Sequence, residues 1–241
     1  MSSDSKRNYK NMIKRLIGFL IILIAILPAK GNDLIDTSDP TQLFTFGARI
    51  GFNASNRTFP KGHFSMWNNN NWGMGFNAGI VANLNIKEYL SIQPGVFFDS
   101  HSGKYAYVTE YINYFDEDDV HYEFGHWRGY KFTIPVMGIV KLNGTKDFKT
   151  TIEFGPYFQL SLKQTGQNNV NVLYRLPHAT SYSSYIAKLR KYDVGLKMGA
   201  GWEFRQKYYF GVHYLAGLCN AWENPSGGKN KEWTFTIGYN F

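Results

Sequence analysis

Six His, one Cys and a short acidic run are the residues of this chain best suited to chemistry. His213 is the one His within a segment of strand-like alternation, and Cys219 lies three same-face steps beyond it. Acyl transfer or hydrolysis needs a nucleophile held beside such a base, and no Ser stands at a readable spacing from His213. His63, His101, His121, His126 and His178 fall in polar connecting segments, too scattered to define a metal site. A single Cys excludes a disulfide framework, and no CxxC or Cys/His cluster supplies a structural zinc site. The run Asp116-Glu117-Asp118-Asp119 offers carboxylate oxygens to a divalent cation. It lacks the spaced carboxylates and Gly of an EF-hand loop, so it reads as a solvated loop tip. No catalytic residue, metal ligand or cofactor is expected.

The frame that carries these residues starts with a leader. Lys6, Arg7, Lys10, Lys14 and Arg15 precede an apolar stretch from Leu16 to Leu27 broken only by Gly18. Pro28 and the small residues of Ala29-Lys30-Gly31 follow, so residues 1–31 read as a secretory signal peptide. The apolar core is shorter than the ~20 residues of a membrane helix, and beyond it no apolar run approaches ~18 residues. Removing 1–31 takes away six basic residues and Asp4, leaving 20 basic against 17 acidic and a net charge of +3 instead of +8. A nucleic-acid footprint needs a clustered basic face, and the exported chain has none.

Residues 32–42 read as a short linker, and 43–241 as one β-barrel domain, which at this length need not split. Apolar and polar positions alternate with a period of two, so an extended strand sends them to opposite faces. Phe44, Phe46, Ala48, Ile50 and Phe52 oppose Thr45, Gly47, Arg49, Gly51 and Asn53. Residues 72–86 repeat the pattern, as do Trp233, Phe235, Ile237, Tyr239 and Phe241 against Glu232, Thr234, Thr236, Gly238 and Asn240. Five further segments, roughly 89–99, 130–142, 150–163, 191–204 and 208–219, bring the number to eight. Strands of ~10–14 residues exceed the ~5–6 of soluble sheets and reach the ~9–11 needed to cross a bilayer. Tight links at Lys87-Glu88, Asn143–Asp147 (an Asn-Gly turn signal) and Arg205–Lys207 alternate with long polar ones at about 54–71, 100–129, 164–190 and 220–231. Short periplasmic turns and long extracellular loops are the habit of outer-membrane barrels.

Alternation alone does not say which face is outward, because a soluble lipocalin-like barrel turns its apolar face inward. The polar face here holds Gly with Arg49, Asp99, Lys131, Lys141, Glu153, Asp193, Lys197 and Glu203 on different strands. Such charges pair across a narrow interior but cost ~2–4 kcal/mol each at the lipid midplane. Trp72, Phe98, Tyr130, Trp202, Tyr208, Trp233 and Phe241 recur near strand ends, as an interfacial girdle requires. The apolar face is therefore expected to meet lipid. Arg49, Glu153, Lys197 and Glu203 are the candidates for an ion-pair network in the lumen, or for separately solvated lumen residues. The aromatic loops (Phe64, Met66, Trp67; Tyr105, Tyr107, Tyr111, Tyr114, Phe115) either bind a partner or pack on one another.

Leu90-Ser-Ile-Gln-Pro94-Gly with Ser102-Gly103-Lys104 resembles the third strand of the PorT-like outer-membrane β-barrel proteins of Bacteroidetes-type bacteria. Phe132-Thr-Ile-Pro135-Val, Gly155-Pro156-Tyr157 and Asp193-Val-Gly195-Leu-Lys-Met-Gly199-Ala-Gly201 are similar to its fourth, fifth and sixth strands. Gly211 and Gly217-Leu218 fit the seventh less specifically. The resemblance spans nearly all of 43–241 and implies location and fold. Most relatives have no defined activity, and a few serve secretion machinery.

The expectation is an all-β chain: an eight-stranded antiparallel up-and-down transmembrane β-barrel, preceded by a signal peptide and integral to the outer membrane. A structural or binding role is expected, with accessory service to protein secretion as one form of it. Its partners would be outer-membrane lipid and lipopolysaccharide, the barrel-assembly machinery through the C-terminal strand, and unidentified surface or secretion partners. A lipid-A-modifying barrel enzyme built around His213 and a secreted soluble ligand-binding barrel are the two rivals.

Overall fold

The computed structural model describes residues 34–58, 71–111, 119–145, 147–165, 170–175, 182–224 and 228–241. The leader, the loop residues His63, Phe64, Met66, Trp67, Tyr114, Phe115 and His178, and the acidic run up to Asp118 lie outside them. So do the side chains of Tyr105, Tyr107 and Tyr111.

Eight strands close a barrel: β1 (Phe44–Arg57), β2 (Asn71–Lys87), β3 (Leu90–Tyr111), β4 (Asp119–Thr145), β5 (Phe148–Thr165), β8 (Tyr192–Phe204), β9 (Tyr208–Gly217) and β11 (Asn230–Asn240). All neighbours are antiparallel and follow one another around the wall in chain order. Closure comes from β1 against β11, in unbroken register from Gly47↔Asn240 to Arg57↔Asn230. No edge is left to template aggregation. Short β6 (Val170–Arg175), β7 (Tyr182–Leu189) and β10 (Trp222–Asn224) form a separate three-stranded sheet at the loop end.

Side-chain direction follows the period of two. Phe46, Phe76 and Ile237 are 60%, 48% and 55% exposed, while Arg49, Asn53, Asn77 and Thr236 beside them are buried in the lumen. Water excluded from the outer face leaves only the strand ladder to satisfy backbone N–H and C=O groups, which a closed barrel does completely. Aromatic clusters ring both ends of the apolar band. Trp202–Phe210, Phe204–Tyr208, Tyr208–Tyr239 and Tyr239–Phe241 meet at the turn end, with centroids 5.5–6.5 Å apart. Phe98 packs on Tyr130 and Phe132, and Tyr214 on Trp233, toward the loop end.

Three local expectations need correction. The β3–β4 ladder continues past Asp99↔Lys131 to Tyr111↔Asp119, so most of the supposed 100–129 loop is strand. A hairpin that leaves the bilayer has no apolar face to keep, and the two-residue period lapses there although the pairing does not. His101 is consequently a buried β3 residue, not a loop one, and His121 and His126 lie on β4. The tight link expected at Asn143–Asp147 does hold the reversal, but not at Asn143-Gly144: Asn143 pairs with Lys149 and Thr145 with Phe148. By contrast, Arg205–Lys207 is a tight turn, closed by Lys207 N–H to Phe204 O at 3.1 Å. Arg205 and Gln206 both take positive φ, 52° and 59°, the geometry of a type I′ hairpin turn and one normally given to Asn or Gly.

The linker is a strap across the turn end. Leu34 O accepts from Asn143 N–H, Ser38 O from Glu88 N–H, and Leu43 O from Asn85 N–H, each at 2.9–3.1 Å. Glu88 Oε1 accepts from both the N–H and the hydroxyl of Thr41 at 3.1 Å, while its Oε2 meets Lys149 Nζ at 2.8 Å. Lys87 Nζ bonds Asp39 at 2.7 Å. Burial pushes the Glu88 carboxyl up, but the Lys149 and Thr41 bonds outweigh it and hold it below its usual range. The hydrogen bond from Lys87 likewise holds Asp39 low. Carboxylates depressed in the folded state contribute stability that is complete above their ordinary pKa, about 4–4.5, and lost as pH falls through the lower folded value. Amide exchange at Thr41 and Glu88, corrected for intrinsic rates, should therefore accelerate on acidification from about pH 6 to about pH 3. Glu88→Gln should remove most of that dependence; unchanged protection over the window would mean that Glu88 does not hold the strap.

Candidate functional site

Among the described residues, charged side chains from β1, β3, β4, β5, β8 and β11 converge in the lumen. Eight strands enclose a space just wide enough for side chains to fill, and inward glycines set how that space is shared. A Cβ at Gly201 would stand 2.5 Å from Thr151 Oγ1 and 2.7 Å from Glu153 Oε1; one at Gly199 would stand 2.6 Å from His213 Cδ2. These glycines of β8 make room for a cluster reaching across from β5 and β9.

At its centre Glu153 accepts from Thr151 Oγ1 and Tyr209 OH on Oε1, both at 2.7 Å, and His213 Nε2 stands 2.8 Å from Oε2. A carboxylate accepts and does not donate, so the charged form of Glu153 uses both oxygens and His213 carries its proton on Nε2. Arg49 stacks on the Tyr209 ring, 4.3 Å from guanidinium carbon to centroid, and donates to Asn240 Oδ1 at 2.7 Å. Its other bonds go to the carbonyls of Ala48 and Tyr239.

Toward the turn end, Lys141 Nζ stands 3.5 Å from Glu203 Oε2. Toward the loop end, Lys131 Nζ meets Glu232 Oε2 at 2.5 Å, and Thr133, which donates to Asp99, accepts from Gln159 at 3.1 Å. Asn230 links Asp193 and Arg57 at 2.9 and 3.0 Å. Lys197 Nζ lies 5.0 Å from the Phe97 centroid, in cation–π range. Among the described residues, the cations Arg49, Arg57, Lys131, Lys141 and Lys197 face the anions Asp99, Glu153, Asp193, Glu203 and Glu232, five against five. Between the two ends, Val81, Met137, Ile139, Tyr157 and Leu215 occupy the remaining interior.

Of the four residues singled out from sequence, all face inward and all are buried. No two of them form an ion pair within 4.0 Å; each is held by a different group, Glu153 by His213, Tyr209 and Thr151, Glu203 by Lys141, Arg49 by Asn240 and Tyr209, Lys197 by the Phe97 face. Tyr209, Thr151 and Asn240 were missed. Strand parity would have found Tyr209, which shares the phase of Gly211 and His213, but a Tyr near a strand end reads as girdle. Among the described residues no group of three or more His, Cys, Asp or Glu could hold a metal ion.

The sequence pattern of a known domain runs through the same strands. A family described as outer membrane protein beta-barrel domain matches residues 37–223. The chain belongs to this outer-membrane β-barrel family. No curated protein matches it. Among solved structures it is similar to Ail, the attachment invasion locus protein of Yersinia pestis, with 13% identity, 83% of this chain and 100% of that one covered, and a TM-score of 0.36. Neisserial surface protein A matches with 9% identity over 81% of this chain and 97% of that one, TM-score 0.42. OprG from Pseudomonas aeruginosa matches with 9% identity over 86% and 99%, TM-score 0.41.

As a member of this family the protein is an integral outer-membrane barrel, and the outward apolar band excludes the soluble, inward-apolar alternative. The short turns and the strap share one end of the barrel, and the long connections share the other.

Proposed function

We propose that the protein is a closed, non-enzymatic scaffold that the lipid anchors and whose long loops present a binding surface. The observation that carries this reading is the crowded lumen of the described residues, where buried cations and anions face one another around Val81, Met137, Ile139, Tyr157 and Leu215. Loops on a rigid frame are where binding residues concentrate. A lipid-A-modifying role finds less support, because His213 and Glu153 are buried inside the wall that the lipid surrounds. The hydroxyls nearest Glu153, those of Thr151 and Tyr209, are committed to hydrogen-bonding it.

The outward aliphatic and aromatic band serves outer-membrane lipid and lipopolysaccharide. The β11 strand, with Trp233, Phe235, Ile237 and Tyr239 leading to a final Phe241, is the segment the barrel-assembly machinery would read. The resemblance to PorT-like proteins supports accessory service to protein secretion as the finer form of this role. The decisive measurement is electrical. Purified protein that migrates as a heat-modifiable folded band should give no stepwise currents in a planar bilayer. Regular conductance steps from that band would overturn the closed-scaffold reading.

A further inference from the structure

The mouth at the turn end holds a cavity of about 240 Å³, walled by the strap at Pro40–Gln42, by the strand ends and by the Arg205–Lys207 turn. At ~30 Å³ per water, that is room for about eight waters or one small organic anion. Five cations line it, Lys87, Lys141, Lys149, Arg205 and Lys207, against two carboxylates, Glu88 and Glu203, with Lys87 met from outside the wall by Asp39 at 2.7 Å. The carboxylates do not neutralise them equally. Lys149 is closely met by Glu88 at 2.8 Å, but Lys141 stands 3.5 Å from Glu203. Arg205 reaches only Asp147, at 3.9 Å and outside the cavity wall. Lys207 makes no ion pair within 4.0 Å among the described residues, and it follows a turn whose two positive-φ residues fix its direction. Thr45, Asn85 and Gln206 add neutral hydrogen-bonding groups to the wall.

Charge excess in a partly enclosed, low-dielectric recess concentrates counter-ions more strongly than the same charges on an open surface. Apart from Lys141 and Glu203, which line the recess, the described lumen charges number four against four; in the recess Lys207 has no close carboxylate and Arg205 only a distant one.

We propose that the vestibule is a binding site for a small carboxylate- or phosphate-bearing anion from the periplasm, held chiefly by Arg205, Lys207 and Lys141. The full chain, folded in uncharged detergent micelles, would be titrated by NMR with sodium succinate and, separately, with inorganic phosphate. Sodium chloride at matched ionic strength is the control. Either anion should give saturable shifts at the amides of Asn85, Lys141, Gln206 and Lys207, and the tighter of the two identifies the chemical source. The double substitution R205Q/K207Q should weaken that binding at least fivefold. Both side chains are exposed, so its heat-modifiable mobility should match wild type; the single K207Q provides a milder second variant, and K163Q at the loop end should leave binding unchanged. Shifts that track chloride without saturating, or that survive R205Q/K207Q in a folded protein, would overturn the assignment.

Discussion

Replacing Glu153 with Ala is expected to cost the barrel several kcal/mol, because it strips the acceptor from three buried donors at once. The loss has several parts. His213 Nε2, Tyr209 OH and Thr151 Oγ1 all lose the acceptor they share, and a buried donor left unmade costs about 1–3 kcal/mol. Arg49, stacked on Tyr209, and Lys197 would then face a lumen whose charge balance has moved by one unit. The double substitution Glu153→Leu with His213→Leu tests the mechanism, since it removes the His213 orphan and refills the volume while leaving only Tyr209 and Thr151 without an acceptor. Urea unfolding in phospholipid vesicles, followed by tryptophan fluorescence, should thus rank the single variant far below the double. If the two fall together, the cost belongs to Tyr209 and Thr151, which both variants leave without an acceptor, and not to His213.

What was legible in the chain was whatever the bilayer enforces. A residue in the wall between Phe44 and Phe52 must choose lipid or lumen, and the wrong choice is expensive, so the alternation is nearly perfect and the strand reads directly. The same force explains where reading failed. Beyond Asp99 and Lys131 the hairpin leaves that constraint, and the segment His101-Ser102-Gly103 pairs as strand without an alternating pattern to announce it. Turn positions divided similarly. Arg205–Lys207 was bounded on both sides by strong strands, Phe204 and Tyr208, which pair across it. The Asn-Gly signal at 143–144 lay inside a ladder that extends to Thr145 and overrode it.

The lumen was legible in membership but not in partnership. Parity tells that Arg49, Glu153, Lys197 and Glu203 point inward. Which anion meets which cation depends on the stagger between strands, and that is set by closure of the whole barrel. Rungs now show why Glu153 finds His213: Glu153 pairs with Gly199, and Gly199 with His213, so the two side chains flank a glycine on the strand between them. A residue with a side chain at 199 would have separated them.

Arginine at Ile80 is expected to destabilise the protein by about 2–4 kcal/mol in a bilayer, whereas arginine at Ile86 should cost about 0–1 kcal/mol. Both positions lie on the outward face of β2, 67% and 45% exposed, and carry the same side chain, so burial inside the protein predicts little difference between them. Depth predicts a large one. Six residues at ~3.4 Å each separate them by roughly 20 Å along the strand, or roughly 15 Å of depth at a tilt near 40°. Ile86 stands beside Lys87 and the Glu88-Tyr89 turn at the rim of the apolar band, where a guanidinium reaches headgroups and water. Ile80, opposite Ala48 on β1 and Val96 on β3, is surrounded by acyl chains on a wall that offers it no partner. Unfolding free energies of I80R and I86R in vesicles of one lipid would give the contrast directly. Equal costs would remove the bilayer as the solvent of this face, and with it the physical reason for the alternation along every strand.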